Sequence, residues 1–222
     1  MATPLRWLAY GLVALGAGVT GAYVHERLKS APPAAAPAAV TTLGATPAPP
    51  TVPELRPEFT LKDPAGKAHA ISEWDGHPLM INFWASWCAP CRREIPLLNR
   101  LQAEPALKDL QIVGIAVDFP PDVQTFLQKI PIHYAVLIGE QDGLDAASAF
   151  GVQSMAFPFT AFVDRRGQVL SLHLGELLET QARATLEVLA RVDRGELTVA
   201  AGREALKRAL AALPKPEPEP AT

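Results

Sequence analysis

The run Leu79-Met-Ile-Asn-Phe-Trp84 is apolar at every position except Asn82. That suits a strand covered on both faces better than one with a wet side. Helical spacing begins almost at once: from Pro90 to about Leu101, Cys91, Ile95, Leu98 and Leu101 fall on one side and Arg92, Arg93 and Arg100 mostly elsewhere. A buried strand feeding directly into an amphipathic helix belongs to layered α/β architecture. The alternation continues, with strand patterns at 111–118, 134–138 and 159–164 separated by helical patterns at 121–129 and 142–150. Upstream, 59–63 and 68–71 flank a Gly turn and read as a hairpin, with Ser72 placed to cap a short helical turn. Downstream, a turn at 164–167 leads into a strand at 168–174 and a helix at 177–192, and Thr198 is placed to cap a last helix ending near Leu213. The pattern predicts a central mixed β-sheet flanked by helices on both faces.

The two ends read differently. Proline reaches 22 residues, and most of the excess lies in 31–53 and in 214–220. Uncharged and rich in Ala and Pro, 31–53 suits a semi-rigid tether. Before it, Trp7 to Val24 is an uncharged stretch of 18 residues with Arg6 on one side and Glu26, Arg27 and Lys29 on the other. This length just spans a hydrocarbon core about 30 Å thick, which predicts a membrane anchor within 1–30. A cleaved signal peptide is the rival reading, although its apolar region usually covers only about 7–15 residues. Either way the domain is delivered across the membrane. The expected organisation is thus an anchor (1–30), a linker (31–53), a globular domain (54–194), a helical extension (195–213) and a Pro/Glu-rich tail (214–222). With a net charge of −3 and no basic run interleaved with aromatics, nucleic acid is excluded as a partner.

The chemistry rests on the two cysteines, Cys88 and Cys91, in Trp87-Cys-Ala-Pro-Cys91. A single close pair is not a disulfide framework for a small secreted fold. It lies where the buried strand gives way to a helix, and there unpaired N–H groups and the positive end of the helix dipole lower the pKa of the first thiol. Cys88 is therefore the expected nucleophile. Cys91, one turn deeper, is placed to resolve a mixed disulfide formed on Cys88. Pro90 falls in the first turn, where no backbone donor is missed. Zinc would need two further ligands, and the five histidines are scattered singly. A c-type haem attachment would need His where Arg92 stands.

Two segments carry a resemblance: Asn82-Phe-Trp-Ala-Ser-Trp-Cys-Ala-Pro-Cys-Arg-Arg-Glu-Ile-Pro96 and Phe157-Pro-Phe-Thr-Ala-Phe-Val-Asp164. Over about 54–193 the chain resembles the thioredoxin superfamily, and within it the membrane-anchored TlpA/ResA type. The resemblance implies a thioredoxin-like fold with one inserted helix-strand unit, for which the seventy positions between Cys88 and Pro158 leave room. It implies that Pro158 is a cis-proline lying against the cysteines and that Pro96 kinks the active-site helix. It also implies a proton-handling role for Glu94. Thioredoxins carry a buried aspartate where this chain has Asn82, which cannot accept a proton. Read from the residues alone, Glu94 is either a desolvated carboxylate with a raised pKa or a solvated residue near a helix start. Trp87, Ala89, Pro90, Phe157 and Pro158 form the expected contact surface, while His173, Gln153 and Met155 receive no role.

The expected activity is therefore extracytoplasmic reduction of protein disulfides, with no cofactor beyond the redox-active pair. The resemblance implies clients such as apocytochrome c or copper-site proteins and a membrane thiol relay as electron donor. Two other readings stay open: a copper- or haem-handling carrier in which the thiolates hold Cu(I), a soft ion, and, more weakly, a thiol peroxidase.

Overall fold

The computed structural model describes residues 52–152 and 156–214. The expected anchor or signal peptide, most of the 31–53 linker, Gln153, Met155 and the tail beyond Pro214 lie outside the described residues.

Strands form where apolar runs are covered on two sides, and helices where apolar residues recur on one. In chain order the elements are β1 (Thr60–Lys62), β2 (Ala68–Ala70), a 3-10 turn (Ile71–Trp74), β3 (Leu79–Trp84), α1 (Ala89–Ala103), β4 (Gln111–Val117) and α2 (Pro120–Lys129). There follow β5 (Ala135–Gly139), α3 (Gln141–Ala149), β6 (Phe159–Val163), β7 (Val169–Leu174), α4 (Glu179–Asp193) and α5 (Val199–Ala211). The seven strands make one mixed sheet in the order β2-β1-β5-β4-β3-β6-β7. β3, β4 and β5 are parallel, and the hairpin, β6 and β7 pair antiparallel. The inserted unit contributes β5, which lies between β4 and β1.

Ser72 does not cap the short turn. The turn begins one residue earlier because Ile71 is drawn fully into the core, and Glu73 reaches back to accept from the Ala70 N–H at 3.2 Å. Thr198 does cap α5, accepting from Ala201 N at 3.2 Å. α1 runs through Pro96 as a single helix, although proline leaves one turn without its backbone donor.

Alternation along β3 sends its side chains to two different cores. Leu79, Ile81 and Phe83 join Val113, Ile115, Leu137 and Phe159 in a cluster closed by Ile71 and by Ala146 and Ala147 of α3. Met80 and Trp84 face the other way, toward clusters built with α1, α2, α4 and α5. Leu206 of α5 belongs to one of these. α5 approaches closely only because position 202 is glycine: a Cβ there would lie 2.7 Å from Val192 Cγ2 and 3.0 Å from Leu170 Cδ1. Arg203, beside it, donates to the Val169 carbonyl at 2.7 Å and the Pro53 carbonyl at 3.3 Å, which fastens α5 where the chain enters the domain.

Candidate active site

β3 ends at Trp84, and the loop to α1 is fixed from the neighbouring strand. Asp118, just past β4, accepts from Ser86 through both its N–H (3.0 Å) and its hydroxyl (2.6 Å), while Cys88 N donates to Ala85 O at 3.2 Å. The site therefore lies at the carboxyl ends of parallel strands, the usual crevice of α/β sheets. Cys88 is the N-cap of α1, in extended conformation, and its sulfur accepts from Cys91 N at 3.3 Å. A thiolate released there on reduction faces the positive end of the helix dipole. Pro90 lies in the first turn, as expected.

Cys88 and Cys91 form a disulfide with Cα atoms 5.3 Å apart. Cys91 is fully buried, and Cys88 keeps 4 % of its surface. Only Cys88 thus presents an edge to an incoming thiol. Trp87 is 59 % exposed beside it, and Ala89 is exposed as well. The Phe157–Pro158 peptide bond is cis, and the buried Pro158 leads into β6, the antiparallel partner of β3. Phe157 packs against the cluster that contains both cysteines, and its ring meets that of Trp87 edge-on at 6.5 Å.

Glu94 settles the choice left open by the sequence: it is 2 % exposed. Its Oε1 accepts from Asn82 Nδ2 at 2.7 Å and its Oε2 from the Leu177 N–H at 2.8 Å. Burial pushes its pKa up to about 7, against the opposing pull of the Leu177 and Asn82 hydrogen bonds, and the nearby Glu176 charge adds to the rise. Arg93 pairs with that Glu176, and Arg92 is exposed. Asn82 Nδ2 also donates to Thr160 Oγ1 at 3.0 Å. His173 is half-buried with its pKa lowered by burial, and its Nε2 lies 3.2 Å from the Glu176 carbonyl.

The structure places Cys88, Cys91 and Phe157 in one cluster, with Trp87 against Phe157 at its rim, and Glu94 one turn after Cys91 on the buried side of α1. Asp118, Thr160 and the Leu177 amide were missed. An acidic residue ending a buried strand and a lone hydroxyl in Phe159–Val163 were the available signals for the first two; a backbone donor from a distant loop leaves none. Among the described residues, no group of three or more His, Cys, Asp or Glu side chains could hold a metal ion.

Residues 52–171 match the AhpC/TSA family. The thiol-disulfide oxidoreductase ResA of Geobacillus thermodenitrificans is 29 % identical over 132 residues, which is 59 % of this chain and 74 % of that protein. The thioredoxin-like protein YneN of Bacillus subtilis is 28 % identical over 138 residues, covering 60 % and 76 %. Among solved structures, a Chlorobium tepidum protein described as a thiol:disulfide interchange protein DsbE superposes with a TM-score of 0.56. It is 29 % identical, and the match covers 63 % of this chain and 98 % of that one. With a disulfide at the start of the helix that follows its buried strand, this chain belongs to the AhpC/TSA family, as a thiol-disulfide oxidoreductase of thioredoxin-like fold.

Proposed function

We propose that the chain reduces disulfides in client proteins on the outer side of a cytoplasmic membrane, to which its N-terminal segment tethers it. The observation that carries the reading is the disulfide at the N-cap of α1, with Cys88 Sγ held against the Cys91 N–H. In the dithiol form, the Cys88 thiolate attacks one sulfur of a client disulfide. The first client thiolate leaves, and a mixed disulfide forms on Cys88. Cys91, having lost its proton, then attacks Cys88 Sγ and releases the second client thiolate. Two electrons pass to the client, and the Cys88–Cys91 disulfide returns. Glu94 follows Cys91 by three positions on the same buried side of α1, and a carboxyl with a pKa of about 7 can take that proton near neutral pH. Trp87, Ala89, Pro90, Phe157 and Pro158 form the surface on which the client segment lies.

Apocytochrome c and copper-site proteins are the clients that suit this reading, and a membrane thiol relay is the electron donor. The uncharged stretch from Trp7 to Val24 supports the tether, since its length fits a single span. No helix among the described residues is long and apolar enough to cross a membrane.

The test is insulin reduction together with partner trapping. The reduced chain should accelerate cleavage of the insulin disulfides, and Cys91→Ser should retain a client covalently on Cys88. A chain that binds Cu(I) through the two thiolates without accelerating insulin cleavage would be a carrier, and rapid peroxide consumption would mark a peroxidase. Either outcome, without a trapped client, removes the proposal.

A further inference from the structure

One nitrogen of Asn82 donates to two oxygens, Glu94 Oε1 at 2.7 Å and Thr160 Oγ1 at 3.0 Å. The other end of the amide, Oδ1, is buried without a hydrogen-bond partner among the described residues. This orientation suits an ionised Glu94 best, because both carboxylate oxygens accept whereas a carboxylic acid carries an O–H that needs an acceptor. Oε2 takes the Leu177 N–H at 2.8 Å, and a backbone donor cannot become an acceptor. The carbonyl oxygen of a carboxylic acid is the better acceptor, so the Leu177 N–H on Oε2 favours the proton on Oε1, where it faces the donor Nδ2.

Half a turn of the amide removes the conflict. Oδ1 then occupies the position of Nδ2 and accepts from Glu94, and the Thr160 hydroxyl reverses from acceptor to donor. Nδ2 moves to the side where Oδ1 now has no partner. Two further polar groups lie on the same face of the sheet, beside the β4 partner of Asn82. Asn82 and Gly114 are direct partners across β3 and β4, and Trp84, two residues along β3, faces the same way. Because residue 114 has no side chain, Tyr134 and Trp84 crowd into its place: a Cβ there would lie 2.9 Å from Tyr134 Cε2 and 3.0 Å from Trp84 Nε1. Trp84 Nε1 and Tyr134 OH are themselves buried without partners among the described residues. The indole N–H donates and the phenol does either, so between them they match whichever end of the amide faces them, directly or through a water.

We propose that Asn82 is a positioning residue whose amide turns over as Glu94 gains or loses its proton, with Thr160 reversing its hydroxyl in step. The buried carboxyl thereby keeps a hydrogen-bonded partner in both forms. An aspartate at position 82 would lack the donor that the ionised form needs. The inference takes from the proposed function only that Glu94 changes protonation state, so thiol exchange can fail without it, and it can fail without thiol exchange. The other titratable groups around this network are Tyr134 before β5 and Glu176, paired with Arg93, which both interact with Glu94, together with Cys91 one turn before it on α1 and His173, the β7 partner of Thr160. In the oxidised chain Cys91 does not titrate, Tyr134 is held neutral by burial and by the Glu94 charge, and burial lowers the His173 pKa.

The test is an NMR titration of the oxidised full chain. Above the Glu94 midpoint, read from its side-chain carbon, the Asn82 Nδ2 protons should show Overhauser contacts to the Thr160 methyl. Below the midpoint those contacts should be lost and replaced by contacts to the Trp84 indole N–H and the Tyr134 ring. Unchanged partners on both sides of the midpoint would overturn the proposal. Glu94→Gln provides an independent check. The Leu177 N–H must keep an oxygen, so the glutamine NH2 faces Asn82 and should lock its amide in the turned orientation at every pH. A glutamine variant in which Asn82 keeps its contacts to Thr160 would overturn the proposal equally.

Discussion

The two faces of the sheet are built from alternate residues of the same strands, yet they have opposite chemistry. On one face, Leu79, Ile81 and Phe83 of β3 meet Val113, Ile115, Leu137 and Phe159 in an all-apolar layer. On the other, the intervening β3 residue Asn82 joins Thr160 and Glu94, each no more than 2 % exposed. The first face gains free energy from every buried methylene, at about 0.8 kcal/mol each. The second holds a carboxyl where ionisation is costly and is tolerated only because Asn82 and Leu177 hydrogen-bond to it. One strand thus carries stability and chemistry in alternation, and substitutions one residue apart should have unrelated consequences.

The largest expected effect falls on the chemical face. Cys88→Ser should reduce insulin cleavage to the uncatalysed rate while leaving the fold intact by far-UV circular dichroism. Residual catalysis in this variant would mean that another group is the nucleophile. On the other face, Phe83 is fully buried, stacked on Phe159 at 4.4 Å and edge-on to Phe150 at 5.7 Å. Phe83→Ala should cost about 3–5 kcal/mol in urea unfolding. It should leave the pH dependence of Cys88 alkylation where it was. A shifted thiol titration in Phe83→Ala would show that the two faces are coupled.

The apolar face was legible in the sequence because burial on both sides leaves a continuous signal in Leu79–Trp84 and a periodic one in α1. The cysteines were legible because their chemistry is local: the helix whose N-cap is Cys88 begins within the same motif. Asn82 and Glu94 were each noticed, but not as partners, since the side chain that turns proximity into a network is Thr160, seventy-eight positions from Asn82. The Leu177 amide is farther still in character, because a backbone donor has no residue type to betray it. Ser72 shows the opposite failure: a good capping residue lost its place because Ile71 was needed in the core. What escaped the sequence was long-range polar contact. Apolar spacing, by contrast, was read correctly.

The contrast sharpens with pH. In the folded, oxidised chain Glu94 binds its proton more tightly than in the unfolded chain, with a pKa of about 7 against the ordinary glutamate value of 4.5. Its contribution to stability is therefore complete below the unfolded value and is lost as pH rises through the folded one. The difference corresponds to about 3 kcal/mol between acid and neutral pH. Glu94→Gln cannot ionise. Urea unfolding of this variant should lack that loss, so the wild type should fall relative to it between about pH 4.5 and 7. Parallel stability profiles across this window would mean that Glu94 titrates as it does in the unfolded chain. In turnover the same variant should be slower by roughly 10²-fold, the lower end of what general acid-base catalysis contributes.

The smallest effect on stability is expected at the rim. Trp87 lies next to Cys88 in sequence but is 59 % exposed, so Trp87→Ala should change unfolding by no more than about 0.5 kcal/mol. If its ring is a client contact, the loss should appear in recognition. Removing an aromatic anchor worth at least about 1 kcal/mol raises KM for a protein disulfide roughly five-fold. A disulfide without a peptide segment, such as 2-hydroxyethyl disulfide, has nothing to lay on the Trp87 ring, and its rate should stay unchanged. Equal losses with both substrates would instead assign Trp87 to the electrostatics of Cys88 and move it from the rim into the reacting centre.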